Sequence, residues 1–293
     1  MFGLLAGRTQ VWDVIPFDPM SCDAKRMMPD LTNHRYAGQE RIGKIMDYGK
    51  YKSMPNAQVP PEIAAVLPDG GNIHLTPFED KDTVLLDPVL QAEAGFQIMD
   101  NGDYQVSMYC PMPGVKKEMI DWWFWWHPQE NERYQLWFPG EHFSIKTDKK
   151  DADYFSATTI PPFRPNSQYP TEKVGNMKMP LRIDFVTPQQ FGFSEDAMRE
   201  GNVATIVCGH VGAFRGAFYH TEMAHIYFRR EGGLFMVSRF WIGRLLKNGL
   251  IRKTVLTENM ARGMAQHCCI EYRNLAAKLP LLYQEAGGAA TPQ

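Results

Sequence analysis

The sequence predicts an α+β chain in which a curved antiparallel sheet wraps a long C-terminal helix. Three observations carry this expectation. The runs PLRIDFVTP, NVATIVCGHV, AFYHTEMAHIYFRR and GLFMVSRFWIG follow one another at short spacing, bounded by Gly, Pro or Asn and with no helical stretch apparent between them. Strands in such succession pair antiparallel. A helical pattern then starts at Thr257, an N-capping residue type, and runs to about Lys278, where Pro280 is expected to end or kink it. Upstream, the polar turn Asp100-Asn101-Gly102-Asp103 between two strand-like runs signals a hairpin. A sheet folded on one terminal helix is expected to leave a cavity between them.

Residues 1 to about 80 are broken too often by Pro and Gly for long elements, as in MMPD (27–30), SMPNAQVPPEIAAVLPDGG (53–71) and LTPFEDKD (75–82). Short helices are expected around Gln39 to Tyr48 and Glu62 to Leu67. We read 1–85 as an N-terminal extension or small domain, a candidate subunit interface for a homodimer, and 86–293 as the main domain. His34 and His74 read as solvated loop histidines. After the hairpin, KKEMIDWWFWW offers a short helix from Lys116 to about Trp125, and RYQLWF (133–138) reads as a strand with Tyr134, Leu136 and Phe138 on one face. The polar, Pro-rich stretch 146–170 is long for a loop and reads as a lid or binding loop. The tail GGAATPQ is expected to be disordered.

Composition narrows the partners. The 293 residues carry 31 basic and 33 acidic side chains, a net charge of -2 with no long run of either sign, so nothing advertises nucleic acid or an anionic membrane. A small, uncharged partner fits better. The odd count of five cysteines, with Cys268 and Cys269 adjacent in a helical pattern, argues against a disulfide framework and for a reducing compartment. MFGLLAGR lacks the charge and length of a signal peptide, and no window nears the ~20 apolar residues of a membrane span. A soluble cytoplasmic protein is expected.

The stretch DWWFWWHPQENERYQLWFPGEHFS (121–144) holds five of the seven tryptophans and two of the eight histidines. Aromatics this dense line a core or an aromatic-binding cavity. At the other end of the chain, His267 and Glu271 are four apart, so on a helix they share a face, a geometry suited to two metal ligands. The same spacing is commoner in plain surface pairs. Met260, Met264, Cys268 and Leu275 around them are apolar, however, and a buried Glu needs a partner. A metal, an Arg or a second His would serve. The residues alone leave His127, His142, Glu172, His210, His220 and His225 all open as further ligands.

MPGVKKEMIDWWFWWH (112–127), RYQLWFPGEHFS (133–144), LRIDFVTPQQFG (181–192), VSRFWIG (237–243) and HCCIEYRNLAAKLPLLY (267–283) together resemble the diacetylphloroglucinol hydrolase and phloretin hydrolase family. The resemblance spans about residues 95–285. It implies a Bet v 1-like, helix-grip catalytic domain within 86–293. It also implies hydrolysis of the carbon–carbon bond between an acyl group and a polyhydroxylated aromatic ring, with a zinc ion held by two His and two Glu. The small aromatic ketone would be the partner, with neither nucleic acid nor membrane.

Carried across residue by residue, the implied ligands are His142 in Trp137-Phe138-Pro139-Gly140-Glu141-His142, Glu172 in TEKVG, His267 and Glu271, with His127 left to the aromatic cluster. The family's substrate-contacting tyrosines fall on Tyr134 and on Tyr227. His210 and His225 are candidate proton-transfer groups, and Trp126 is one of the tryptophans expected to wall the ring. Glu172, Tyr134 and His210 are thus the expected catalytic set, with Tyr134, Tyr227, Trp126 and His225 contacting substrate. Four His/Glu ligands resemble a closed site, so either the coordination expands to five or one carboxylate swings off and acts as base, Glu172, on the loop side, being the one expected to move. Two rival readings stand beside this one: a non-haem iron oxygenase using two His and a carboxylate, and a helix-grip carrier of aromatic ligands without catalysis.

Overall fold

A computed structural model describes residues 46–71 and 73–287. His34, the start of the helix expected at Gln39, and nearly all of the tail lie outside the described residues. Met46–Gln293 forms one compact unit. The expected domain boundary after residue 85 falls inside it, and Tyr51, Ile63 and Leu67 are buried in the same core as the sheet and the terminal helix.

In chain order, α1 (Tyr48–Lys52), α2 (Pro61–Val66), α3 (Thr83–Leu86) and α4 (Pro88–Gln91) precede the hairpin of β1 (Gly95–Ile98) and β2 (Tyr104–Pro113). Then come α5 (Lys117–Trp126), α6 (Asn131–Trp137), β3 (His142–Ser144), α7 (Ala152–Phe155), β4 (Asn166–Gln168), β5 (Thr171–Val174) and β6 (Met177–Val186). Two short helices follow, α8 (Pro188–Phe191) and α9 (Glu195–Glu200), before β7 (Val203–Ala213), β8 (Phe218–Arg230) and β9 (Gly233–Ile242). The chain closes with α10 (Gly249–Val255) and α11 (Glu258–Glu285). The strands form one sheet in the order β1-β2-β9-β8-β7-β6-β5-β3, with β4 paired to β6. Every pairing is antiparallel.

The expected architecture, a sheet gripping the terminal helix, is the one observed. Thr257 caps α11 by accepting the Met260 amide at 3.3 Å. The helix buries Ala261, Ala265, Cys268, Tyr272, Leu275, Leu279 and Leu282 in one core with Val106, Met108, Cys110, Tyr227 and Met236 of the sheet. Each such leucine contributes about 1.5–3 kcal/mol of transfer free energy. This stripe also explains why α11 runs through Pro280 to Glu285 and does not end there: Leu282 and Tyr283 stay buried, and their packing outweighs the lost amide bond. The side chains of Tyr227, Met236, Cys268 and Tyr272 occupy the space between sheet and helix where a cavity was expected.

The sheet's other face is covered too. Ile206, Cys208, Ala224, Ile226, Phe228 and Trp241 pack under Val84, Leu85, Phe191 and Phe193. Covering of both faces accounts for the nearly unbroken burial along β8 and β9. It also corrects the expectation of strands without helices between them. Thr187 and Gln190 form a capping box on α8, and Ser194 caps α9.

RYQLWF is not a strand but most of α6. Alternation of Tyr134, Leu136 and Phe138 is satisfied within so short a window by a helix that turns Tyr134 and Trp137 inward, because periods of 2 and 3.6 diverge only over longer runs. The stretch 146–170 is likewise no free lid. It holds α7 and β4, and the Trp125 indole donates to the Tyr154 carbonyl at 2.9 Å.

Candidate metal centre

Three elements bring the donors together. After α6 the chain turns at Gly140, whose φ of +89° suits glycine. There the His142 amide donates to the Phe138 carbonyl at 2.9 Å and β3 begins. His142 pairs directly with Glu172 across the β3–β5 ladder. His267 and Glu271 come from one face of α11, a turn apart. His142 Nε2 lies 3.3 Å from His267 Nε2, 3.4 Å from Glu271 Oε2 and 3.7 Å from Glu172 Oε2, and His267 Nε2 lies 3.5 Å from Glu271 Oε2. All four residues are buried or nearly so.

His142, His267 and Glu271 form a candidate metal site, their donor atoms all within 4.8 Å of one another. The donor set fits a cation. A tetrahedron of ~2.0–2.1 Å bonds sets neighbouring donors about 3.3–3.4 Å apart. His142 donates its Nδ1 hydrogen to the Tyr134 carbonyl at 3.4 Å, which turns the Nε2 lone pair toward the cluster. Two nitrogens and two carboxylates facing one another in a buried place repel unless a cation or protons lie between them. The coupling shows in the acidities. Burial would raise Glu271, but the His267 and His142 rings outweigh it and hold the carboxyl at about 2. Burial opposes the charge on His267, and Glu271 overrides it, so that imidazole is raised.

Tyr134 ties the site together. Its ring stacks on His142 at 4.2 Å and 8°, and its hydroxyl donates to Glu172 Oε2 at 2.6 Å. Burial, reinforced by Glu172, drives the phenol's pKa well above its usual value, so Tyr134 is a permanent donor. Trp137 donates its indole hydrogen to the Glu271 main-chain carbonyl at 3.0 Å, and the Phe138 ring rests 5.0 Å from that of His267.

The other candidates lie elsewhere, His127 in the aromatic cluster to which it was assigned. His127 is buried among Trp123, Phe124, Trp137 and Tyr134, with its Nδ1 2.7 Å from the Trp123 carbonyl, and burial depresses it to about 3. His210 shares the outer face of the sheet with Cys208, pairing with Glu222 at 2.6 Å under Phe191. The cause is strand alternation: His210 follows Ile206 and Cys208 in period two and so points away from α11. Trp126 sits beneath the Arg133 guanidinium and against Tyr48, as packing. His220 contacts Thr221 Oγ1 at 2.6 Å, and burial depresses it to about 4.

His225 and Tyr227 do lie on the inner face, against the turn of α11 that bears Glu271. The His225 ring is 4.7 Å from that of Tyr272, with Nδ1 2.7 Å from Ser238 Oγ, and burial lowers it to about 4. Tyr227 is fully buried beside Tyr272. Tyr272 and Ser238 were not singled out in the sequence. The available signal was the placing of Tyr272 next to Glu271 in a helical pattern.

The chain is similar to several known proteins. The chain is 32% identical to phloretin hydrolase of Eubacterium ramulus over 260 residues, covering 83% of this chain and 91% of that protein. It is 31% identical to 2,4-diacetylphloroglucinol hydrolase of a Pseudomonas species over 239 residues, covering 74% and 79% respectively. A solved structure from Nitrosomonas europaea aligns with a TM-score of 0.37 and 14% identity over 64% of this chain and 99% of that chain. Residues 75–284 match the family described as DAPG hydrolase PhiG domain. The chain is thus a hydrolase, and it belongs to the DAPG hydrolase PhiG domain family.

Proposed function

We propose that the chain hydrolyses the carbon–carbon bond between an acyl group and a polyhydroxylated aromatic ring, releasing the phenol and a carboxylic acid. The substrate class is that of the relatives' names, phloretin and 2,4-diacetylphloroglucinol. The observation that carries the reading is the convergence of His142, His267 and Glu271 next to a Glu172 held by Tyr134. All these residues lie within the stretch 86–293 expected to form the catalytic domain.

His142, His267 and Glu271 would hold a divalent ion, by our reading zinc, with Glu172 at its edge. Bound there, zinc supplies a Lewis acid for the acyl oxygen and lowers the pKa of water. The chain's own groups do the rest. Glu172 accepts a proton from the attacking water, which adds its oxygen to the acyl carbon. The Tyr134 phenol holds that carboxylate in place, and its loss of negative charge frees the phenol to meet a ring hydroxyl. As the carbon–carbon bond breaks, its electron pair goes to the ring carbon, which takes up the proton that Glu172 received from water, so that the carboxylate is restored. Ring hydroxyls ortho and para to the acyl group spread the developing charge. His225, kept neutral by burial, and Tyr227 lie on the inner face of the sheet and would meet the ring once the side chains packed between sheet and helix give way.

The test is incubation of zinc-loaded protein with a panel of acylated polyphenols, followed by mass detection of the deacylated ring and the free acid. Turnover requiring zinc supports the reading; no product from any panel member with metal bound removes it.

A further inference from the structure

Gly263 lies on the same face of α11 as His267 and Glu271, one turn before His267, and is buried. Glycine is a poor residue for a helix interior, and alanine there would favour the helix. The surroundings explain its presence. A methyl group at residue 263 would stand 3.0 Å from Gly175 Cα and 3.2 Å from Gly175 N, main-chain atoms at the tip of the β5–β6 hairpin. Gly175 itself adopts φ +60°, which the tight turn between Val174 and Met177 requires. The hairpin therefore rests on the terminal helix through a direct glycine–glycine contact. Glu172 is three residues from that contact, on the same strand.

We propose that Gly263 is a positioning residue: the Gly263–Gly175 contact sets how far Glu172 reaches toward the His142–His267–Glu271 cluster. This rests on the metal reading given above. The helix supplies two donors rigidly, whereas Glu172 arrives on β5, a strand of four residues paired to β6 and to the three-residue β3, so its distance from the helix depends on what the β5–β6 hairpin rests on. Backbone contact at the tip fixes that distance, and Tyr134 then fixes the direction of the carboxylate. A side chain at 263 lifts the tip, and Glu172 withdraws from both His142 and Tyr134.

The experiment titrates metal-free protein with zinc against a chromogenic chelator, for the parent, Gly263→Ala, Gly263→Val, Glu172→Gln and the Gly263→Ala/Glu172→Gln double variant. Thermal unfolding of each metal-free protein runs in parallel. Gly263→Ala is expected to bind zinc about ten-fold more weakly, as loss of an outer positioning contact does. Its metal-free melting midpoint should not fall, and Gly263→Val should weaken binding further. In the Glu172→Gln background the alanine should have no added effect, because both changes act through one carboxylate. Unchanged affinity in Gly263→Ala, or additive losses in the double variant, overturns the assignment while leaving the metal reading intact. A parent that binds no zinc overturns both.

Discussion

His142 and Glu172 stand directly opposite one another in the β3–β5 ladder, and Tyr134 grips both. Its carbonyl accepts from His142 Nδ1, and its hydroxyl donates to Glu172 Oε2 at 2.6 Å. Tyr134→Phe removes the second bond and keeps the ring on His142. We expect kcat to fall about 100-fold, with zinc bound no more than about ten-fold more weakly. Steady-state kinetics together with metal content of the purified variant checks this; an unaffected kcat would show that Glu172 needs no such hold.

The three-donor cluster makes metal binding and stability one quantity. Added zinc is expected to raise the melting midpoint of the metal-free parent, with about 4 kcal/mol gained at a thousand-fold excess over Kd. His267→Ala should lose that response and co-purify with little metal. Calorimetry with and without a chelator reads both.

His127 gives a pH dependence with a definite sign. Its folded pKa, about 3, lies below the unfolded value of about 6.5, so the unfolded chain takes up a proton first on acidification. The stability it contributes is complete above about pH 6.5 and drains as pH falls toward 3, by up to about 1.4 kcal/mol per pH unit. Replacing the ring with His127→Phe should flatten the acid limb of stability against pH in urea melts. His225, depressed to about 4, acts in the same direction.

Lys278 is almost fully buried on α11 and donates to the Leu136 carbonyl at 2.8 Å, near the end of the helix that bears Tyr134. Burial lowers its pKa to about 8. Lys278→Met leaves that carbonyl unmet and is expected to cost about 1–3 kcal/mol in urea denaturation, with an unchanged m-value.

The sequence made the sheet-and-helix architecture legible because long runs with a clear period dominate it: β7, β8, β9 and α11. His267 and Glu271 were legible for the same reason, their spacing being a helical one. The pairing of His142 with Glu172 was not, since β3 and β5 are strands of three and four residues without an apolar pattern, and only family resemblance pointed to them. α6 was misread because six residues cannot separate a helix from a strand. The outward facing of His210 was not legible, because nothing in the chain announces that Phe191 and Phe193 of the α8 region cover the outer side of the sheet. Gly263 carries no signal of its own; its meaning depends on a hairpin tip distant in sequence.

Hydrolysis is expected at the acyl carbon, by water that Glu172 deprotonates beside a metal held by His142, His267 and Glu271. The most direct measurement is turnover of an acylated polyphenol by zinc-loaded protein in ¹⁸O-labelled water, with mass analysis of both products and dioxygen monitored throughout. One labelled oxygen should appear in the carboxylic acid and none beyond exchange in the ring, with no dioxygen consumed. Oxygen uptake with unlabelled acid, or turnover undiminished after zinc is stripped, would contradict it.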